Sequence, residues 1–369
     1  MSELGHLRKI GVALGNRSYD ILIAANLLDD LPAKAENAAK GKRALVVTDS
    51  NVENLYAEKV VAGLKKVCSA VSLAAFPAGE ESKNIGTVEK LYGEAVKAKL
   101  DRSSIVVALG GGVVGDVAGF VAATFMRGIP FIQIPTTLLA MVDSSVGGKT
   151  GVDIPEGKNL VGAFHQPSIV IIDPTTLSTL PEREIRGGLA EVVKYGMILD
   201  GGFFKLLEDN AAKINSLDME FMTDVIARCC ELKAGVVAED ELDLSGRRAI
   251  LNYGHTFAHA IEAATGYSEI THGEAVGIGM CMAASLAVAD GRLDDAAELR
   301  QENLLRALHI PCEVSDVAPS KIYSAMSRDK KAVAGEARFV LPETIGEVVL
   351  TDSNMEKSMV MDAIRSCCG

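Results

Sequence analysis

Three of the six histidines in this sequence lie within eighteen residues, a concentration that could bind a metal ion. His255 and His259 are four positions apart in GHTFAHAIE, so a helix would place both imidazoles on one face, with Glu262 a further turn along. His272 follows seventeen residues after His255. Imidazoles with a carboxylate are the ligands that divalent metals such as zinc prefer, although a polar helix face or core histidines would also explain the spacing. The sequence lacks HExxH, which argues against a metalloprotease.

A second candidate group lies in the segment GGLAEVVKYG, which is predicted to be helical. Helical spacing places Glu191 and Lys194 on one face, where a surface ion pair would be the simplest interpretation. The flanking residues Leu189, Val192 and Val193 instead favour burial, and a buried carboxylate needs a cation or a metal.

A glycine-rich turn follows the predicted strand Ile105–Leu109, in GGGVVGD. Such a turn lets the backbone approach a pyrophosphate, whose charge is favoured by the start of the following helix. A tight turn without a ligand is the alternative. The acidic residue expected about twenty positions later in a dinucleotide fold is missing, so Asp49, followed by Asn51, is the better candidate for binding a ribose.

Polar residues also follow the next predicted strand. Thr136 and Thr137 come directly after it, and Asp143 and Lys149 lie in MVDSSVGGKTGVD. The edge of a parallel sheet is where open α/β folds bind ligands, although helix capping would explain the two threonines equally well. The sequence GGKT resembles the end of a P-loop, but Val142 stands where the first glycine is required.

Further cations and amides could together bind an anion that carries both phosphate and carboxylate groups. They are Lys149, Lys158, Asn159, Lys233, Arg248, Asn252, Lys330 and Lys331.

The elements that must position these residues change in character near Leu180. The predicted strands are Ala44–Thr48, Val71–Phe76, Ile105–Leu109, Phe131–Ile134 and Ile169–Ile172, and the helices between them are Asn51–Val67 and Gly86–Lys99. This alternation predicts an α/β N-terminal domain, residues 1–180, with a mostly parallel sheet and crossover helices. The remaining residues, 181–369, are predicted to form a mostly α-helical domain with a small hairpin at Ala337–Leu341 and Glu347–Leu350.

Composition limits the function classes further. A formal charge of -12 argues against binding nucleic acid generally. The N-terminus lacks the apolar core of a secretory signal, and the stretch Ala275–Ala289 is too short for a membrane span, so we expect a cytoplasmic protein. Seven scattered or vicinal cysteines are expected to be reduced thiols.

Taken in order, several motifs resemble those of the 3-dehydroquinate synthase family of the shikimate pathway. They are GEESK, GGGVVGD, IPTTLLAMVDSSVGGKTGVD, GKNLVGAFHQP, GGLAEVVKYG, LNYGHTFAHAIE, HGEAVGIGM and DKK, together with Arg127 and Asp49. The resemblance covers most of the chain. It implies an N-terminal NAD-binding domain of Rossmann-like topology, a helical domain that binds one divalent metal (zinc, with cobalt possible), an active site between the two domains, and usually a homodimer.

The resemblance also implies a role for individual residues. The metal ligands would be Glu191, His255 and His272, with His259 facing the substrate. The NAD contacts would be Asp49, Asn51, Glu80, Lys83, Gly111, Gly112, Asp116, Thr136, Thr137 and Thr179. The catalytic residues would be Asp143, Lys149, Lys194, Lys233, Asn252 and His259, and the other substrate contacts Lys158, Asn159, Arg248 and one of Lys330 or Lys331. Arg127 would reach the phosphate of the partner subunit's substrate.

The implied reaction converts 3-deoxy-D-arabino-heptulosonate 7-phosphate into 3-dehydroquinate and phosphate. It proceeds by transient oxidation, elimination, reduction, ring opening and intramolecular aldol closure. Three alternatives remain: another sugar-phosphate cyclase, a metal-dependent polyol dehydrogenase that releases NADH, and a catalytically silent NAD-binding partner.

Overall fold

The protein divides into two compact units, each built from two separate segments. The computed structural model describes residues 6–266, 270–332, 338–351 and 355–369, and the side chains of residues 327–332 lie outside this description. Unit 1 comprises Met1–Leu180 and Met219–Leu242, and unit 2 comprises Pro181–Asp218 and Asp243–Gly369.

The described residues form the following strands and helices. The strands are β1 (Arg8–Val12), β2 (Tyr19–Ile23), β3 (Arg43–Asp49), β4 (Ala70–Phe76), β5 (Ile105–Gly110), β6 (Phe131–Pro135), β7 (Lys149–Ile154), β8 (Gly157–Phe164), β9 (Ile169–Ile172), β10 (Val340–Thr344) and β11 (Glu347–Leu350). The helices are α1 (Leu31–Ala39), α2 (Glu58–Leu64), α3 (Ile85–Lys97), α4 (Gly112–Thr124), α5 (Glu182–Leu199), α6 (Gly201–Asp209), α7 (Ala211–Asn215), α8 (Met219–Glu239), α9 (His255–Thr265), α10 (His272–Ala289), α11 (Asp295–Ala307), α12 (Pro319–Ala332) and α13 (Lys357–Ser366).

Unit 1 is organised around a seven-stranded sheet with the strand order β1-β2-β9-β6-β5-β3-β4. All neighbouring strands are parallel except β1 and β2, which pair antiparallel at one edge. The predicted mostly parallel sheet is therefore confirmed. Because β3, β5 and β6 are parallel neighbours, the turns that follow them meet at the same edge of the sheet.

Helices cover both faces of this sheet, and its central strands are therefore buried on both sides. In β3, Ala44 and Val46 pack with residues of α1 and α2, while Leu45 and Val47 pack with residues of α3 and α4. This alternation follows from the two-residue period of a strand. It explains why these strands appear in the sequence as continuous apolar runs.

The placement of helix α8 in unit 1 differs from the predicted domain division at Leu180. It lies in the range 181–369 that was assigned to the helical domain, yet it packs against β1 and β2 and belongs to unit 1. Its Asp224 pairs with Arg8 of β1 at 2.7 Å. Helical periodicity shows that a buried face exists but carries no information on which element covers it.

Unit 2 is mostly helical, and α10 is its central element. This helix packs against α5, α9, α11 and α13, as well as against the antiparallel β10–β11 hairpin. Within the described part of the chain, α10 is long and apolar enough to cross a membrane by composition, but 72% of it is buried inside the structure. Such burial is typical of a core helix.

Several elements differ from their predicted limits. The helix predicted at Asn51–Val67 is shorter, since a π-type turn at Glu53–Ala57 precedes α2. The first strand of the terminal hairpin is Val340–Thr344 rather than Ala337–Leu341, and Ala337 lies outside the described residues. The strands β1 and β2 and the hairpin of β7 and β8 were not predicted, because they are short or rich in glycine and polar residues.

Candidate functional site

The three residues predicted to bind a metal converge in unit 2. One ligand atom each from Glu191, His255 and His272 lies within 4.8 Å of the other two. His255 Nε2 is 3.4 Å from Glu191 Oε1, and the ring centroids of His255 and His272 are 5.3 Å apart. The side chain of Glu191 is only 1% exposed. A buried carboxylate between two imidazoles is a donor set that suits a divalent ion of the zinc type.

Close backbone contacts bring the three ligands together. A β carbon on Gly273 would lie 2.2 Å from the Cα of Gly187, so the helix α5 and the start of α10 approach at glycine. Glu191 follows Gly187 by one helical turn, and His272 directly precedes Gly273. Gly254, with φ of 78°, makes a comparable approach to α10 immediately before His255.

Both histidines use Nδ1 for a contact outside the triad. His255 Nδ1 lies 3.1 Å from the carbonyl oxygen of Tyr253, which can only accept a hydrogen bond. His272 Nδ1 lies 3.4 Å from Glu262 Oε1. In a neutral imidazole, a proton on Nδ1 serves each of these contacts and leaves the lone pair of Nε2 for a ligand.

Glu262 also affects the titration of His272. Burial would lower the pKa of His272, but the hydrogen bond and charge of Glu262, with a smaller effect of Glu191, raise it overall. Glu262 is itself buried, with a side chain that is 8% exposed. The position of Glu262 two turns after His255 is the sequence signal for this contact, although the sequence analysis considered Glu262 only as a carboxylate near the candidate metal ligands.

Lys194 contacts Glu191 within the same helix. Lys194 Nζ pairs with Glu191 Oε2, and both side chains are almost fully buried. The interpretation as a buried ion pair, rather than a surface one, is therefore confirmed. Lys194 supplies a fixed positive charge beside the candidate metal ligands.

The glycine-rich turn of unit 1 connects β5 to α4 as expected. A β carbon on Gly111 would lie 3.0 Å from Thr137 Cγ2, and one on Gly112 would lie 3.2 Å from Ser144 Oγ. The helix α4 begins at Gly112, so its first peptide N–H groups lie at the carboxyl edge of the sheet. A turn that carries no side chains at these two positions lets a pyrophosphate approach the backbone closely.

The two threonines after β6 have different roles. Thr137 Oγ1 accepts from the N–H of Ala140 at 3.2 Å, which is the capping role considered in the sequence analysis. Thr136 is 4% exposed, and its Oγ1 has no hydrogen-bond partner among the described residues. An unsatisfied buried hydroxyl is costly, so Thr136 is the threonine whose geometry calls for a ligand.

The predicted NAD residues near the turn form a charged group. Lys83 Nζ lies 2.7 Å from Asp116 Oδ2 and 3.9 Å from Glu80 Oε1. Burial would lower the pKa of Lys83, but Asp116 and Glu80 raise it overall. Lys83 therefore stays charged beside the start of α4.

The other predicted NAD residues lie at the same edge of unit 1 but have mainly local contacts. Asp49 Oδ1 accepts from the N–H groups of Asn51 and Val52 at 2.9 and 3.0 Å, which stabilises the turn after β3. Thr179 Oγ1 lies 2.6 Å from the hydroxyl of Tyr56.

Asp143 and Lys233 are joined within unit 1, although they are 90 residues apart. Lys233 Nζ donates to Asp143 Oδ1 at 2.6 Å and to the Asp143 carbonyl at 2.8 Å. Lys233 is 5% exposed. Since Lys233 lies on α8, this pair depends on the packing of α8 in unit 1.

The remaining predicted residues differ in exposure. In unit 1, Arg127, Lys149, Lys158 and Asn159 are exposed. In unit 2, Arg248 is buried, whereas Asn252 and His259 are exposed. The side chains of Lys330 and Lys331 lie outside the described residues.

The close contact of Gly187 with Gly273 was missed by the sequence analysis. Its signal is weak. Gly187 precedes the candidate ligand Glu191 in a segment predicted to be helical, where glycine is otherwise unfavourable, and Gly273 directly follows the candidate ligand His272.

Known proteins resemble this chain over nearly its whole length. Residues 73–187 match the 3-dehydroquinate synthase N-terminal family model, and residues 188–332 match the C-terminal one. A curated 3-dehydroquinate synthase from Desulforamulus reducens is 52% identical over 340 residues, covering 92% of this chain and 94% of that protein.

Solved structures give a consistent result. A 2-deoxy-scyllo-inosose synthase, complexed with carbaglucose-6-phosphate, NAD+ and Co2+, is similar with a TM-score of 0.87 and 27% identity, covering 98% of this chain and 100% of that one. A 2-epi-5-epi-valiolone synthase from Streptomyces hygroscopicus subsp. jinggangensis 5008, with NAD+ and Zn2+ bound, has a TM-score of 0.85 and 31% identity, covering 96% and 98%. The two family models match consecutive segments that together cover more than half of the chain, and the chain therefore belongs to the 3-dehydroquinate synthase family.

Proposed function

We propose that this protein is a 3-dehydroquinate synthase that uses NAD and one divalent metal, zinc or cobalt. The substrate is 3-deoxy-D-arabino-heptulosonate 7-phosphate, and the products are 3-dehydroquinate and inorganic phosphate. The observation that carries the proposal is the convergence of Glu191, His255 and His272 within 4.8 Å in a chain of this family. The higher identity to a curated 3-dehydroquinate synthase than to the two other cyclases supports the choice of substrate.

Glu191, His255 and His272 would hold the metal, and the turn between β5 and α4 would hold NAD. When bound, the metal supplies Lewis acidity toward substrate hydroxyls, and NAD accepts and returns a hydride. Lys194 pairs with Glu191 and presents its ammonium group where negative charge develops on a substrate oxygen. Thr136 has a hydroxyl free to donate to a nucleotide.

Lys233 and Asp143 would contribute a pre-arranged cation for the substrate. The two contacts from Asp143 fix the ammonium in position, so little of its side-chain entropy remains to be lost on binding. We propose that Lys149, Lys158, Asn159, Arg248, Asn252, His259 and one of Lys330 or Lys331 complete the anion contacts. His259 is exposed next to His272, with ring centroids 6.2 Å apart, where it can orient the leaving phosphate or a water.

We further propose a cytoplasmic homodimer. Arg127 lies in an exposed turn after α4 with φ of 68°, and Met126 and Gly128 beside it also have positive φ. The exposure of Arg127 suits a residue that contacts the phosphate of a partner subunit's substrate, and residues in strained backbone conformations cluster at functional sites.

The decisive experiment supplies the seven-carbon phosphate with substoichiometric NAD and zinc. We expect equal amounts of phosphate and 3-dehydroquinate, with many turnovers per NAD. Stoichiometric NADH without phosphate release would instead indicate a polyol dehydrogenase. Turnover of a hexose phosphate lacking the carboxylate, in preference to the seven-carbon acid, would indicate another sugar-phosphate cyclase. A lack of turnover with bound NAD would indicate a silent binding protein.

A further inference from the structure

Glu262 is a buried carboxylate that the proposed chemistry does not use. It lies on α9 two turns after His255, and its side chain is 8% exposed. Leaving a carboxylate in such a position is unfavourable without a partner that compensates for the lost hydration. One of its contacts runs from Oε1 to Nδ1 of His272 at 3.4 Å.

The two candidate histidine ligands are oriented by different kinds of acceptor. His255 is oriented by the backbone carbonyl of Tyr253. The side chain of Tyr253 is held in turn, because its hydroxyl donates to Gln301 Oε1 at 2.6 Å. His272 is oriented by the side chain of Glu262. In each case the acceptor holds Nδ1 and leaves Nε2 for the ligand position, but only the acceptor of His272 can be removed by substitution.

His272 has a particular need for such a contact. It is the first residue of α10, directly after the N-cap Thr271, and its side chain is 37% exposed. By contrast, the His255 side chain is 13% exposed and that of Glu191 is 1% exposed. A partly exposed imidazole at a helix start is less enclosed than the other two side chains of the triad.

From these contacts we infer that Glu262 is a positioning residue, which fixes the tautomer and ring orientation of His272 for metal binding. The inference rests on the proposed metal role of His272. A carboxylate that accepts the second N–H of a metal-bound imidazole also increases the basicity of the ligating nitrogen. Glu262 thus acts through His272 and needs no contact with substrate or ion.

The test measures zinc affinity by competition with a chromogenic chelator, in the absence of substrate. For E262Q and E262L we expect zinc affinity to fall roughly 10- to 100-fold, with the larger loss in E262L because it removes the acceptor entirely. The melting temperature of the chelator-treated E262Q protein should stay close to wild type. Unchanged zinc affinity in both variants would overturn the inference.

The matched control is E274Q, which alters another carboxylate near His272. Glu274 accepts from the N–H of Thr271 at 2.8 Å and pairs with Arg183, so its loss should lower the melting temperature and leave zinc affinity within about twofold. An equal loss of zinc affinity in E274Q and E262Q would reflect a general disturbance of α10 and would overturn the specific role.

Two further measurements separate this inference from the proposed function. If H272A retains full zinc affinity, the metal site itself is wrong; if H272A loses it and E262Q does not, only the role of Glu262 is wrong. Long-range 1H–15N spectra of zinc-loaded protein should show His272 with a protonated Nδ1 in wild type. A zinc-bound Nδ1 would contradict the inference directly.

Discussion

Gly273 and Gly187 make an asymmetric contact beneath the candidate metal site. A β carbon on residue 273 would lie 2.2 Å from the Cα of Gly187, whereas one on residue 187 would lie 3.6 Å from the Cα of Gly273. The first distance requires the backbone to move, and the second is an ordinary van der Waals contact. The two positions therefore should respond differently to the same substitution.

Gly273→Ala should push α5 away from the start of α10. We expect a loss of about 1–3 kcal/mol in the free energy of unfolding, as overpacking in a core typically causes, with a further loss of zinc affinity because Glu191 moves relative to His272. Urea unfolding and zinc titration would measure the two effects. Gly187→Ala is the control and should retain zinc affinity; similar losses in both variants would contradict the geometry.

His255→Ala should abolish zinc binding and turnover with little change in fold. The side chain is partly exposed and contributes Nε2 to the triad, so its loss removes a ligand without opening a large core cavity. Metal analysis after gel filtration and far-UV circular dichroism would test this. A variant with full metal content and normal turnover would show that His255 is not a ligand.

Thr136→Val should separate stability from NAD binding. The change removes a buried hydroxyl that lacks a partner among the described residues, so the free energy of unfolding without NAD should stay constant or rise by up to about 1 kcal/mol. The dissociation constant for NAD should rise several-fold because a donor to the nucleotide is lost. Fluorescence titration with NADH measures this, and unchanged affinity would argue against a cofactor contact.

Asp143 and Lys233 should show strong coupling in a double-mutant cycle. Asp143→Asn alone leaves the ammonium of Lys233 buried beside a neutral amide, and removal of one partner of a buried pair typically costs about 3–5 kcal/mol. The double variant D143N/K233M should be more stable than D143N. Additive losses in unfolding experiments would show that the two residues do not depend on each other.

The stability of unit 1 should decrease in alkali through Cys230. Burial raises the pKa of this thiol to about 12, against an ordinary value of 9.0. At a pH between these two pKa values, the Cys230 thiol loses its proton in the unfolded chain and keeps it in the folded chain. The free energy of unfolding therefore falls as the pH rises. Cys230→Ala should show a shallower decrease between about pH 9 and 11 in urea unfolding. Equal slopes would mean that Cys230 is more accessible to water than its burial indicates.

The sequence predicted the sheet well because its central strands are β-branched runs between turn residues. Ile105–Gly110 and Ile169–Ile172 are examples. The predicted helix after the glycine turn is α4, which begins at Gly112 within that turn. The edge strand Arg8–Val12 escaped prediction, since a polar and glycine-containing strand of five residues carries little periodic signal.

The candidate site could be predicted only in part for a different reason. His255 and His272 are close in sequence, and motif resemblance supplied Glu191, but the contact of Lys233 with Asp143 joins residues 90 positions apart. Spacing within one helix cannot reveal such a partner. The same holds for Gly187 and Gly273, whose approach exists only after α5 and α10 have packed.

The assignment of α8 to unit 1 has a consequence for how the chain is made. A nascent chain that has reached residue 180 still lacks the helix that packs on β1 and β2 and carries Lys233. Unit 1 can be completed only after synthesis of residue 242, by which point residues 181–218 of unit 2 have been synthesised as well. A fragment ending at the first boundary should therefore be poorly stable and expose apolar surface.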